Sequence, residues 1–343
     1  MKAAIVILNW NGKEHLKKYM PSVVGYTDTS LAEIIVADNG STDDSVAFLD
    51  ENYPFIRIIK LDSNYGFAGG YNKALAQIDA EIFCLLNSDV RVTAGWLDKI
   101  FKIFSEEDNV GAIQPKILSD RDTSRFEHAG AAGGFIDKYG YPFCRGRIMD
   151  VIEKDNGQYD NTIDIFWASG ACLFIRADLF RRSGGFDVDF FAHMEEIDLC
   201  WRLKNQGYRI LFTPESVVYH WGGATLEYNN PYKLFLNFRN SLWTLYKNYT
   251  GSNLFWVLFR RMMIDTLAIV KYLFTLDFKN SFAVIRAHLV FHKTKGNIKA
   301  KRKELISKVM VKSHDQILGS SIVWQFFGNN KKHFGGLNEF HKS

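Results

Sequence analysis

Cysteine is scarce in this chain, four in 343 residues, and no two of them form a CxxC pair. Cys84, Cys144, Cys172 and Cys200 lie far apart, and Cys84 and Cys172 sit in apolar, strand-like runs. Buried free thiols are therefore expected rather than disulfides, which fits a reducing cytosol. Long apolar runs are missing as well. None approaches the roughly 20 residues that span a bilayer, and the nearest candidate, Asn253 to Leu276, is broken by Arg260, Arg261, Asp265 and Lys271. No signal peptide is visible, because Met1-Lys2 leads straight into the strand-length run Ala3–Leu8. Strong charge of one sign is also lacking: a net +4 is too mild to argue for nucleic acid. The first strand is not followed by a GxGxxG turn, which weighs against a simple dinucleotide fold. What remains is a folded protein, 47% hydrophobic and 15% aromatic, long enough for one large domain or two moderate ones.

Residues 3–114 alternate strand and helix. Strands are expected at Ala3–Leu8, Glu33–Ala37, Phe55–Lys60, Ile82–Leu86 and Val110–Gln114. Helices are expected over Lys13–Tyr26, from Ser41 through Leu49, over Ala68–Ile78 and over Ala94–Phe104. Alternation at this spacing means βαβ crossovers, hence a largely parallel sheet flanked by helices. The pattern weakens from Ile117 to Ile163, where irregular or hairpin structure is expected and His128 reads as a solvated loop histidine. Order returns with a strand over Phe166–Ile175, a helix through Ala177–Arg182, a helix after Met194, and a strand Val217–Tyr219 that delivers His220.

Four strands end in polar or glycine-rich turns: Asn9-Trp10-Asn11-Gly12, Asp38-Asn39-Gly40-Ser41, Asn64 to Gly70, and Asn87-Ser88-Asp89. Ligands of open α/β sheets bind outside the carboxyl ends of parallel strands. One such turn is ordinary loop chemistry; four along one edge point to a nucleotide site. Asp38 is suited to accept from a base N–H and Trp10 to stack on the base, while Gly66, Gly69 and Gly70 let backbone approach a ribose or diphosphate. Asp89, with Asn87 two residues earlier, offers hard oxygens to Mg²⁺ or Mn²⁺. His220, ending a strand before a glycine pair, is accessible enough to be a metal ligand. Glu195, Glu196 and Asp198 open one helix, where the dipole favours anions. Glu195 and Asp198 share a face while Glu196 points elsewhere, a division suited to separate roles. The dipole and a nearby metal are expected to keep these carboxylates ionised at neutral pH.

These segments carry a resemblance. ILNWNG (7–12), IIVADNGSTDDS (34–45), NYGFAGGYN (64–72), LLNSD (85–89), SGACLFIR (169–176), GGFDVDFF (184–191), EEIDLCWRL (195–203) and VVYHWGG (217–223) occur in the order of a family 2 glycosyltransferase of GT-A fold, resembling most the bacterial rhamnosyltransferase-like branch. The resemblance implies a nucleotide-sugar donor, a divalent metal (Mg²⁺ or Mn²⁺) and inversion at the anomeric carbon. It aligns Asp89 with the last residue of the family's DxD triplet, Asn87 standing in for the first, and His220 with the histidine that holds metal and diphosphate. It sets Asp38 and Trp10 at the pyrimidine positions, within a nucleotide-binding set of Asn9, Trp10, Asp38, Gly66, Asn72, Asn87 and Ser88. The Glu195-Glu196 pair matches the family's Glu-Asp pair, so Glu196 is nominated as general base with Glu195 as the alternative. Trp167, Asp198 and Arg239 complete the set as acceptor or diphosphate contacts, Arg239-Asn240 resembling an Arg-Asn pair of this branch.

From Pro231 the composition turns aromatic and basic, with helices expected over Tyr232–Tyr249, Leu254–Leu276 and Phe278–Phe291. Residues 1–230 thus form the expected catalytic domain, 231–315 a helical, membrane-associating extension, and 316–343 a loosely ordered tail. Apolar helix faces with snorkelling cations suit an anionic membrane surface at the inner face of the plasma membrane. Packing on the catalytic core or homodimer formation is the alternative use of these helices. The function expected is sugar transfer, rhamnose-like, from a dTDP- or UDP-sugar to a hydroxyl of a cell-surface polysaccharide or lipid-linked glycan. The competing readings are a sugar nucleotidyltransferase, which would want a glycine-rich, arginine-containing loop after the first strand, and a non-catalytic scaffold of the same fold.

Overall fold

A computed structural model describes residues 2–222, 230–337 and 340. The chain runs β1 (Ala3–Asn9), α1 (Lys13–Tyr26), β2 (Ala32–Asp38), α2 (Ser45–Asn52), β3 (Arg57–Lys60), α3 (Gly66–Leu75), β4 (Ile82–Asn87), β5 (Val90–Val92), α4 (Asp98–Glu106) and β6 (Val110–Ser119). Next come β7 (Gly134–Asp137), β8 (Pro142–Cys144), β9 (Arg147–Ile148), β10 (Val151–Ile152), β11 (Ile163–Asp164), β12 (Cys172–Arg176), α5 (Ala177–Arg182), α6 (Glu195–Asn205) and β13 (Arg209–His220). The C-terminal part holds α7 (Pro231–Asn248), α8 (Leu254–Phe274), α9 (Phe278–Ser307), β14 (Ile317–Leu318) and α10 (Ile322–Phe327).

The main sheet is mixed, in the order β11-β13-β6-β12-β4-β1-β2-β3, with β5 added against β13. β4, β1, β2 and β3 are parallel, β12 runs antiparallel to β4 and β6, and β6 pairs parallel with β13. The central strands are buried on both faces, and period-two alternation divides their side chains between two cores. Ile5, Ile34, Cys84 and Leu86 meet α1 and α4 on one face through Leu16, Met20 and Ile100. Val6, Ile35, Phe83 and Leu85 meet α3, α5 and α6 on the other through Tyr71, Phe180 and Leu199. The strand expected over Phe166–Ile175 is shorter and later, because the chain turns at Gly170–Ala171 before β12 begins.

A second sheet, β10-β9-β8-β7-β14, fills the 117–163 excursion and lies on the second of these cores. Its edge is closed by the chain's end, which corrects the loosely ordered tail. β14 pairs parallel with β7, Leu318 and Ile322 are fully buried, and Ile322 N donates to Asp137 Oδ2 at 2.9 Å. The helical extension shares the core of the sheet through Leu242, Trp243, Val257 and Phe291, and adds a small cluster of its own where Phe235 and Leu236 of α7 meet Ala283 and Ala287 of α9. All four cysteines are buried and free.

Candidate active site

Register sets the first part of the site. Asn9 lies beside Asp38, and Leu8 beside Asn87, so the polar ends of β1, β2 and β4 share one edge. Asn9 Nδ2 donates to Asp38 Oδ1 at 3.1 Å and to Ser41 Oγ at 3.2 Å, and Asp38 Oδ2 accepts from Ser41 N at 3.1 Å. Asn11, at φ 51°, accepts from Thr42 N at 2.7 Å. The two loops are locked together and Trp10 is left 46% exposed at their rim. Asn9 Oδ1 is buried without a partner, and a Cβ on Gly12 would come within 2.5 Å of it. Ser88 Oγ lies 3.6 Å from that same point, so the turns after β1 and β4 meet there.

Two residues of the expected nucleotide set are engaged otherwise. Gly66 has φ +69°, and a Cβ on it would sit 2.6 Å from the Phe191 carbonyl, so its openness is filled by protein. The Asn72 amide donates to Phe186 O at 2.8 Å and accepts from Phe186 N at 2.9 Å. Both fasten the loop that precedes α6.

The β5–β13 pairing sets His220 opposite Val90, and Trp221 N donates to Asp89 O at 3.0 Å. Asp89 Oδ1 consequently lies 3.1 Å from His220 Nε2, with the Asn87 amide nitrogen 3.4 Å from the same atom. Glu127, which went unweighed in the sequence, lies behind the ring with Oε2 3.4 Å from His220 Nδ1. All three ionisable groups are buried. Burial alone would lower the His220 pKa, but Asp89 and Glu127 on either side hold it up at about 10. The imidazolium in turn holds both acids below the carboxylate range against burial.

These residues fit a divalent ion. With the imidazole neutral, as a ligating histidine must be, Asp89 Oδ1 and His220 Nε2 at 3.1 Å have the spacing of neighbouring ligands on one six-coordinate ion with bonds of about 2.1 Å. Glu127 stands at the far ring nitrogen, where a carboxylate orients a ligating histidine. Among the described residues no three His, Cys, Asp or Glu side chains converge to hold an ion by themselves. A two-donor site leaves coordination positions for phosphate oxygens and water, as ions bound together with a nucleotide require.

The candidate bases sit at the start of α6, reached through a strained stretch. Phe191, His193 and Met194 have φ of 64°, 69° and 74°, unusual for residues other than glycine. Asn240 of α7 holds this stretch, its Nδ2 donating to the carbonyls of Phe190, Ala192 and His193 at 3.1, 2.9 and 2.8 Å. Glu195 is buried and Glu196 half-buried. His193 Nε2, Glu195 Oε2 and Glu196 Oε2 are all buried without partners. Burial pushes Glu195 well above the carboxylate range, with the Glu196 charge adding to it. Burial also pushes Glu196 up to about 7, against the pull of backbone N–H groups at the helix start. For Glu195 and Glu196 the expectation of full ionisation is thus corrected, because desolvation outweighs the helix dipole.

The three expected acceptor or diphosphate contacts are occupied elsewhere. Trp167 is buried, with Nε1 donating to Phe135 O at 2.9 Å. Asp198 is fully buried and bonded to Arg202 at 2.9 Å, Asn248 at 2.8 Å and Lys247 at 3.1 Å. Burial would push it up, but Lys247 and Arg202 keep it below the ordinary range, so it fastens α6 to α7. Arg239 donates to the carbonyls of Asp189 and Phe190 at 3.2 Å and stacks 4.2 Å from the Trp243 ring. His128 is half-buried rather than solvated; burial, Arg147 and Lys233 hold it down at about 3. Burial first, and then Lys233 in the first turn of α7, bring His193 down to about 4. Glu127 in turn acts on Lys233. Lys233 is thus within electrostatic reach of both Glu127 and the residues that lead into α6.

The mixed sheet flanked by helices, with its C-terminal helical region, is a GT-A fold. Residues 4–183 match the model of glycosyl transferase family 2. The chain belongs to that family and is a glycosyltransferase. It is 27% identical over 232 residues to the N-acetylglucosaminyl-diphospho-decaprenol L-rhamnosyltransferase of Mycobacterium tuberculosis, covering 63% of this chain and 75% of the relative. Among solved structures it is similar to GalNAc-T7 with UDP, GalNAc and Mn²⁺ (TM-score 0.56, 14% identity, 74% of this chain and 48% of that one). It is also similar to the mannosyltransferase PcManGT of Pyrobaculum calidifontis with GDP-Man and Mn²⁺ (TM-score 0.51, 15% identity, 89% and 85%). The chain thus spans about half of GalNAc-T7 and most of the other two.

Proposed function

We propose that the protein is an inverting, metal-dependent transferase. It moves a rhamnose-like hexose from a dTDP- or UDP-sugar to a hydroxyl of a lipid-linked or cell-surface glycan at the cytoplasmic face of the membrane. The observation that carries this reading is the buried line Asp89–His220–Glu127 at the strand edge, which bears two donors for an ion and a carboxylate behind them. Asp89 and His220 would hold Mg²⁺ or Mn²⁺ against the donor diphosphate, and Glu127 would fix the imidazole. When bound, the ion would neutralise charge on the departing nucleoside diphosphate. Lys233, between this cluster and α6, would add a cation near the same leaving group. The exposed Trp10 ring suits stacking on the base.

Glu196 takes the proton of the acceptor hydroxyl as its oxygen attacks the anomeric carbon and the bond to the diphosphate breaks. A carboxylate held at about 7 suits a base working near neutrality. Glu195, which burial and the Glu196 charge push well above the carboxylate range, positions the acceptor or the loop. The name of the mycobacterial relative, which joins L-rhamnose to a diphospho-decaprenol-linked sugar, supports the choice of sugar and acceptor class. The test is thermal stabilisation by dTDP-, UDP- and GDP-sugars with Mn²⁺, Mg²⁺ or excess EDTA, followed by transfer assays. Stabilisation by dTDP- or UDP-sugars that vanishes in EDTA is expected. Full transfer in EDTA, or a preference for GDP-sugars, would overturn the metal or the base assignment respectively.

A further inference from the structure

The helix α8 is built inside out. Its buried side carries Arg261 and Asp265, which pair with each other at 3.1 Å. Arg261 also donates to Ser241 Oγ at 2.7 Å and Tyr139 O at 3.2 Å, and Asp265 meets His288 at 3.1 Å. Its outer side carries Phe255, Phe259, Met263, Leu267, Val270 and Phe274, all exposed. Their spacing of three and four residues makes one apolar stripe along the whole helix. The stripe continues across the turn, where Leu276 is 74% exposed, onto Phe278, Phe282, Ile285 and Leu289 of α9. A helix that turns its ion pair inward and its phenylalanines outward does not have water as the partner of that face.

Charge decides what the partner is. Arg260 and Lys271 border the stripe of α8, and Lys279 and Arg286 border that of α9, all four exposed. The acids of this stretch are Asp265, buried in its ion pair, and Asp277, whose side chain caps α9 by accepting from Asn280 N. The face is therefore apolar with a rim of one sign. A second copy docked across a two-fold axis would bring these cations against their own kind with no carboxylate between them. An anionic bilayer surface meets both features, with rings and methyls in the acyl–headgroup boundary and cations at the phosphates. Among the described residues no helix is long and apolar enough to cross a membrane, so the face lies in the plane.

We propose that the outer faces of α8 and the first half of α9 are a membrane-docking surface for an anionic bilayer. This deepens the reading above and rests on it only for the idea that the acceptor is lipid-linked. The test is sedimentation of the full chain with vesicles of phosphatidylcholine, with and without phosphatidylglycerol, at low and high salt and without donor or acceptor. Binding should favour the anionic vesicles by about tenfold or more and weaken with salt. Phe259→Ser with Leu267→Ser should lose most binding while keeping the circular dichroism and melting temperature of the parent. Lys271→Gln with Lys279→Gln, both at exposed positions, should lose the preference for anionic lipid. No vesicle binding, or equal binding to both compositions, overturns the proposal, as does a stable dimer in solution that the Phe259/Leu267 variant breaks. Donor binding is read separately in vesicle-free solution, so failure here is distinct from failure of the transferase reading.

Discussion

Glu196→Gln should make the protein more stable and less active at the same time. The substitution keeps the shape of the side chain and removes its charge. In the folded protein the Glu196 proton leaves near pH 7, against an ordinary value of 4.5. Between those two values the native state binds more protons than the unfolded chain, so this group lowers stability as pH rises from about 4.5 to about 7. At about 1.4 kcal/mol per pH unit, the gap sets an upper bound of about 3 kcal/mol. The side chain is only half-buried, so about 1–2 kcal/mol is expected after solvent screening. Chemical denaturation at pH 8 should show the Gln variant more stable by that amount, and the advantage should vanish by about pH 4.5. Transfer should fall by about 10²–10⁴-fold, with donor and metal affinity unchanged by calorimetry. The parent's transfer rate should rise with pH through about 7, and the residual rate of the variant should lose that limb. A variant less stable than the parent at pH 8, or one with near-normal transfer, would refute the reasoning.

Glu195→Gln should lose less than about tenfold in transfer, because the glutamine keeps the shape of a positioning side chain whose neutral form burial favours; a dead Glu195→Gln beside an active Glu196→Gln would move the base one residue back. Glu127→Ala should weaken Mn²⁺ binding in the presence of nucleoside diphosphate by roughly 10–100-fold, read by calorimetry without any sugar transfer, and unchanged affinity would remove Glu127 from its orienting role. Asn240→Ala frees three loop carbonyls and should lower transfer more than it lowers donor affinity. Equal losses in both would mean that the Phe190–Glu196 stretch serves donor binding instead.

Much of the fold was legible because the buried strands stop abruptly. Ile82–Leu86 ends in Asn87, Val6–Leu8 in Asn9 and Val36–Ala37 in Asp38, and a polar residue after a two-face apolar run marks a sheet edge whatever follows it. Asp89 and His220 were nominated from strand ends and motif positions, and the β5–β13 pairing brings them together. Glu127 was not legible: it is one carboxylate in a glycine- and alanine-rich excursion, and its partner arrives on a strand far along the chain. Gly66 and Asn72 show the opposite failure. Residue type reveals that a backbone is free to approach something, but here Phe191 and Phe186 fill the space. The raised proton affinity of Glu195 and Glu196 does not show in the sequence because acidic residues at a helix start usually stay in water. The tail was misjudged because Ile317–Leu318 and Ile322 are too few to signal an element until an open edge of β7 takes them.

The two halves of the molecule meet at α7. Arg239 and Asn240 grip the carbonyls of Asp189 to His193, so the strained approach to Glu195 and Glu196 is fixed from this helix. Ser241, the next residue, accepts from Arg261 of α8, and Lys247 at the far end of α7 pairs with Asp187 and Asp198. Lys301 of α9 reaches the same Asp187 at 2.6 Å. The start of α6 is therefore tied to α7 by buried charged bonds, and through Ser241 and Asp187 to α8 and α9, whose outer faces carry the apolar stripe. Such bonds have directional geometry, unlike an apolar contact that tolerates sliding. They set the orientation of the candidate base relative to that face, and a glycan acceptor held by a lipid would arrive from a direction the fold has already determined.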